Sequence, residues 1–171
     1  MDWYRKPGSI LGDLPTTDRR GYDLIGWIDE EGNSAYPSTV IEDDGTGIRT
    51  FTARWQASVF RISYEMGGVS TPPTGDDYPT TYTINSPTIT PPPYPNAVTG
   101  HTFQKWEPTS IPSGSIGDKT FTADWGLNLC KVTWNSNGGT SVEHKMVVYG
   151  QQVGVLPTTA KQGYGFTGWY K

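Results

Sequence analysis

An internal repeat with a period near 70 residues constrains this chain more than any other feature. Phe51-Thr52-Ala53-Arg54-Trp55 returns as Phe121-Thr122-Ala123-Asp124-Trp125, 70 positions on, and the pair Gly67-Gly68 returns as Gly138-Gly139, 71 positions on. A third anchor, Gly-aromatic-x-x-x-x-Trp, occurs at Gly21–Trp27, Gly100–Trp106 and Gly163–Trp169. Leu-Pro-Thr-Thr stands at 14–17 and 156–159, each time beginning seven residues before the anchor glycine. Ile89-Thr90-Pro91-Pro92 is a loosened middle copy, followed by a longer Pro-rich insert. Self-similarity of this kind marks tandem units, each too small to bury a large core alone.

Within a unit the residues alternate as strands do. Arg61-Ile62-Ser63-Tyr64 runs towards Gly67-Gly68 as Lys131-Val132-Thr133-Trp134 runs towards Gly138-Gly139, a strand entering a turn. A second strand, Met146–Tyr149, follows. In Phe121–Trp125, Phe, Ala and Trp share one face of a half-buried strand. In Gly163–Trp169, strict alternation puts Tyr164, Phe166 and Gly168 on one face and Trp169 on the other. No segment sustains a helical period, so any helix is one or two turns long, with candidates after Leu-Pro-Thr-Thr and in the loops following Trp27 and Trp106. The fold class is therefore mainly β, a tandem of small units with short or no helices and Gly/Pro-rich loops.

Aromatics are 13% of the chain against 34% hydrophobic overall, so rings supply much of the buried area. The expected repeat core is Tyr22, Trp27, Phe51, Trp55, Phe103, Trp106, Phe121, Trp125, Tyr164, Phe166 and Trp169. Residues 1–56 form a partial repeat without the opening strand, 57–126 a complete diverged repeat, and 127–171 a partial repeat without the closing strand.

Ser136-Asn137-Gly138-Gly139, Val148-Tyr149-Gly150, Leu156-Pro157-Thr158-Thr159 and Gly163–Trp169 together resemble the Listeria/Bacteroides repeat, or internalin B-repeat, of bacterial surface proteins. Residues 131–171 carry its fullest version, 57–126 a drifted one, and 4–56 the later part. The resemblance implies β-grasp-like units, an extracellular or cell-surface location, and a role in adhesion, spacing or ligand presentation. It implies no catalytic residues. Two departures concern packing: His101 stands where the pattern has Tyr, and Lys105 where it has the Gly before Trp.

Charge and composition exclude other classes. A net charge of −4 and scattered Lys and Arg give no phosphate-binding footprint, so nucleic acid is not an expected partner. No apolar run is long enough to insert in a membrane, and the N-terminal residues show no apolar signal-peptide core. Cys130, the single cysteine, has alternating apolar neighbours and is expected to be a buried small hydrophobe. The acidic groups Asp29-Glu30-Glu31, Glu42-Asp43-Asp44 and Asp76-Asp77 lack the ligand spacing of a calcium loop and are expected to be solvated. His101 and His144 are too few for a zinc site. No catalytic, metal-binding or cofactor-binding residue is expected, and the chain is not expected to be an enzyme.

The partners are expected to be other protein chains, with carbohydrate the alternative for any exposed Trp face. Contact residues would be Trp3, Val132, Trp134, Val147 and Tyr149, with 131–149 the expected donor in β-strand exchange. The Pro/Thr-rich stretch 69–95 is expected to be a long extended loop with contacts. The alternative to a cell-surface array is a structural component of a large particle, a phage decoration or fibre protein or a surface filament, assembled by that exchange.

Overall fold

The computed structural model describes residues 5–42, 45 and 47–170. Among them there is no helix: the stretches after Leu-Pro-Thr-Thr and after Trp27 and Trp106 are turns and extended chain. The strands are β1 (Tyr22–Ile28), β2 (Ser34–Ala35), β3 (Thr52–Ala57), β4 (Phe60–Glu65), β5 (Thr81–Tyr82), β6 (His101–Glu107), β7 (Lys119–Leu127), β8 (Leu129–Val132) and β9 (Lys145–Val148). They make sheets ordered β2-β1-β3, β5-β4-β7-β6 and β8-β9.

The repeat seen in the sequence is a repeat of strand pairing. β1 pairs antiparallel with β3 as β6 pairs with β7, Leu24 facing Trp55 and Phe103 facing Trp125. Each pair then skips one residue on its first strand, Ile25 in β1 and Gln104 in β6. That bulge overturns the strict alternation expected above. An extra residue returns the following Trp to the face of the aromatic three places before it. The rings of Phe103 and Trp106 accordingly lie 5.1 Å apart. The third copy does the same, with Phe166 and Trp169 at 5.4 Å. Gly26 and Gly168 occupy matching positive φ angles of 145° and 137°, while Lys105 takes the same place without a positive φ.

Packing density divides the chain into two units. The first comprises the described residues up to Ser63 with Pro79–Thr90 and Ser110–Lys119; the second comprises Tyr64–Tyr78, Pro91–Thr109 and the chain from Thr120 onward. In the first, Leu11, Ala35, Ile62, Tyr82 and Ile111 are buried, and Ile89 bridges Ile111 with N–H···O bonds of 2.9 Å in both directions. In the second, the core is aromatic. Phe121 is fully buried, stacked on Tyr64 at 5.5 Å and edge-on to Trp106 at 6.4 Å. Tyr78 closes the same cluster against Tyr64 and Trp106.

The Pro/Thr-rich stretch 69–95 is mostly loop, tied down by side-chain contacts. It carries β5, and it delivers Tyr78, Tyr82 and Tyr94 to buried positions. Their hydroxyls bond the Pro93 carbonyl, the Gly117 carbonyl and Ser70 respectively. Proline removes backbone donors, so the chain there is held by side chains instead of a ladder.

Candidate functional site

No described group of His, Cys, Asp or Glu could hold a metal ion. The Asp29 carboxylate is occupied by its own turn, accepting from Asn33 N at 2.7 Å, Asn33 Nδ2 at 3.1 Å and Glu31 N at 3.1 Å. Partial desolvation opposes its ionisation, but these donors and Arg49 outweigh it and hold its pKa below the ordinary value. Glu31 in turn pairs with Arg49 at 3.3 Å. Asp43 and Asp44 lie outside the described residues. His101 is tied to its own turn, Nδ1 lying 3.1 Å from the Thr99 carbonyl. The site-like features of this chain are therefore surfaces and joints.

One element recurs in all three copies. The Trp indole N–H donates to a proline carbonyl: Trp27 to Pro15 at 3.1 Å, Trp106 to Pro92 at 2.7 Å, and Trp169 to Pro157 at 2.8 Å. This bond ties the proline of the Leu-Pro-Thr-Thr segment, or of its middle counterpart, to the Trp of the anchor that follows. The middle copy's insert lengthens the loop, from 12 to 14 positions between the bonded residues, and preserves the bond. A second element is the turn before each aromatic strand. The amide at Tyr22, His101 and Tyr164 donates to the carbonyl three residues back, with Gly21, Gly100 and Gly163 at φ of 77°, 76° and 81°.

A third element joins consecutive repeats. Ile84 packs onto Gly21, and Tyr149 onto Gly100, so closely that a Cβ would lie 2.7 Å and 2.0 Å from the nearest side-chain atom. Ile84 and Tyr149 hold equivalent places, each two residues after the buried strand residue Tyr82 or Val147 that faces Phe60 or Cys130. The same glycine carbonyls accept from Ser58 N at 3.0 Å and Asn128 N at 2.9 Å. At Gly163, the third member, no heavy atom lies within 4 Å of a built Cβ.

Residues 131–171 keep the ring pairs of a complete repeat. Trp134 meets Trp169 at 5.0 Å as Tyr64 meets Trp106 at 5.4 Å. Beside them opens a pocket of about 530 Å³ lined by Asn135, Ser136, Phe166, Trp169 and their neighbours. Tyr164 is 73% exposed and Phe166 42%.

The expected core residues thus fall into grades. Phe121 and Trp106 are buried; Tyr22, Trp27, Phe51, Trp55, Phe103, Trp125 and Trp169 are half-buried; Tyr164 and Phe166 are exposed. Of the expected contact residues, Val147 is buried, Val132 and Trp134 half-buried, and Tyr149 exposed. Trp3 lies outside the described residues. Cys130 is exposed, against expectation. Its counterpart Phe60 has the Tyr82 ring against it at 5.5 Å, where Cys130 has the smaller Val147 opposite. Sequence reasoning missed Ile84, Tyr78 and Tyr94; the two tyrosines stood out only as aromatics within a Pro/Thr-rich stretch.

Residues 131–171 match the Listeria-Bacteroides repeat domain. Two proteins of Evansella cellulosilytica are similar to nearly the whole chain. One, named "Putative Gly-rich membrane protein", is 27% identical over 93% of this chain and 19% of its own length. The other, named "Putative membrane protein", is 24% identical over 95% of this chain and 24% of its own. The chain therefore spans about a fifth to a quarter of these relatives. No solved structure matches it. Among the described residues, no helix is long and apolar enough to cross a membrane.

Proposed function

We propose that this chain is a non-catalytic repeat segment of a bacterial surface-associated protein, acting as a spacer or ligand-presenting module in adhesion. The observation that carries this reading is the repeated joint, Ile84 on Gly21 and Tyr149 on Gly100. A joint reproduced in equivalent places ties each repeat to the one before it, as nearest-neighbour contacts do in repeat proteins. The repeat match at 131–171 and the membrane-protein names of the longer relatives support a surface setting. The small β-grasp unit implied by the family resemblance belongs to this proposal, as does recognition of other protein chains.

The test is antibody labelling of intact cells that express the full-length protein, using serum raised against residues 57–171. Labelling of intact cells is the expected result. Labelling that needs lysis would overturn the surface reading.

A further inference from the structure

We propose that the complete repeat is a force-bearing module, in which β4 and β7 form a shear clamp against tension along the chain and the Trp125 indole pins its far end. The clamp goes beyond the surface reading and can fail separately from it, because it is measured on the purified protein.

β4 and β7 are neighbours in one sheet, and the contacts between them climb together. Arg61 N donates to Asp118 Oδ1 at 2.8 Å, and Ser63 Oγ to the Lys119 carbonyl at 3.4 Å. Further along, Tyr64 stacks on Phe121 at 5.5 Å, and the Trp125 indole donates to the Met66 carbonyl at 3.1 Å. Numbers that rise on both strands mark a parallel pair. The chain enters this pair at Phe60, the start of β4, and leaves it at Leu127, the end of β7. In a parallel pair those two points lie at opposite ends.

Tension between Phe60 and Leu127 therefore slides the strands along one another. The evenly spaced bonds of a parallel ladder are then strained together. Points at the same end of the pair would instead peel the ladder open, one bond at a time. Forced unfolding is governed by the unfolding barrier, so the direction of the load decides how high that barrier stands. β7 is also gripped on its other edge, where Leu127 to Thr122 pair with His101 to Glu107 of β6.

The connections leave little slack. Ser58 and Val59 alone separate β3 from β4, and Asn128 alone separates β7 from β8. Both junctions are held: Ser58 N donates to the Gly21 carbonyl at 3.0 Å, and Asn128 N to the Gly100 carbonyl at 2.9 Å. The Thr102 hydroxyl adds a bond of 2.6 Å to Asn128 Oδ1. A flexible linker would extend before its neighbours felt a load; here tension passes from strand to strand.

Pulling single molecules of the 171-residue chain along two axes tests the clamp. Handles are attached to cysteines introduced at exposed positions, with the native thiol removed by Cys130→Ser. Val59→Cys with Leu127→Cys loads the pair in shear, and Val59→Cys with Thr120→Cys loads it at one end. The shear axis should rupture in one step at a severalfold higher force, releasing about 200 Å of chain, the extended reach of the repeat less its folded span. Trp125→Phe, which deletes the indole donor, should lower the shear force and leave the peeling force unchanged. Equal rupture forces on the two axes would overturn the clamp. A Trp125→Phe loss shared by both axes would overturn the role of the indole as its pin.

Discussion

Tyr149 lies so close against Gly100 that a methyl group on the glycine would sit 2.0 Å from the ring carbon Cδ1. The glycine also has φ of 76°. Two separate physical demands therefore fall on one residue: a left-handed backbone, and no side chain where the next repeat arrives. Gly100→Ala should destabilise the fold by about 2–4 kcal/mol, the sum of a left-handed alanine and an overpacked contact. Gly114 has nearly the same φ, 78°, with nothing within 4 Å. Gly114→Ala should therefore cost only about 1–2 kcal/mol. Equal losses in urea unfolding would show that the Tyr149 contact does not constrain the joint.

Phe121 is the best-buried side chain of the aromatic cluster. Replacing it with Ala removes a ring stacked on Tyr64 and facing Trp106, and should cost about 3–5 kcal/mol. Trp125→Ala should cost less, since that indole is only half-buried. A Phe121 loss below about 1 kcal/mol would show that the cluster re-packs around the gap.

How much of this was legible beforehand follows from which forces act locally. The anchors Phe51–Trp55, Phe121–Trp125 and the three Gly-to-Trp segments are strands because alternation and turn glycines are written in neighbouring residues. The bulge at Ile25 and Gln104 was not legible, because it is a property of pairing between two strands; reading Trp169 by alternation placed it on the wrong face. Cys130 was misplaced for a related reason. Its strand looks half-buried in isolation, yet its burial depends on what packs over it, which its neighbours in the sequence do not specify. Ile84 sits in a Pro/Thr-rich stretch, and its partner Gly21 is 63 positions away, so only the fold brings that pair together.

Tyr64 provides a pH test. Burial first, and the neighbouring Tyr78 second, push its pKa up to about 12. Its hydroxyl thus keeps its proton in the folded chain after an unfolded tyrosine, near 10, has lost it. The native state then binds more protons than the unfolded state, and stability falls as pH rises. The contribution is full below about pH 10 and is lost progressively between about 10 and 12. Tyr64→Phe should flatten the alkaline arm of a melting-temperature profile in that window. An unchanged slope would assign the alkaline loss to other groups.

Chelation should leave thermal stability untouched, because the Asp29 oxygens are committed to Asn33 and Glu31 and no described carboxylate cluster could replace them as a metal site. A bound structural ion would stabilise the folded state by mass action. A fall of several degrees with EDTA, restored by calcium, would place a ligand set in the acidic loop at 42–47.

The three indole–proline bonds allow one chemical change to be made in three settings. Trp→Phe keeps most of the ring and deletes the N–H, leaving the carbonyl of Pro15, Pro92 or Pro157 without that donor. A carbonyl facing water recovers a bond from solvent, whereas one kept from water bears its desolvation cost. Trp106 is buried and its bond is the shortest at 2.7 Å, while the Trp27 bond is solvent-exposed at 3.1 Å. Trp106→Phe should therefore cost about 1–3 kcal/mol, and Trp27→Phe about 1 kcal/mol or less. Trp169 is half-buried against Trp134, so Trp169→Phe should fall between them. If all three substitutions cost the same, the bonds act through local geometry alone and burial contributes nothing to their strength.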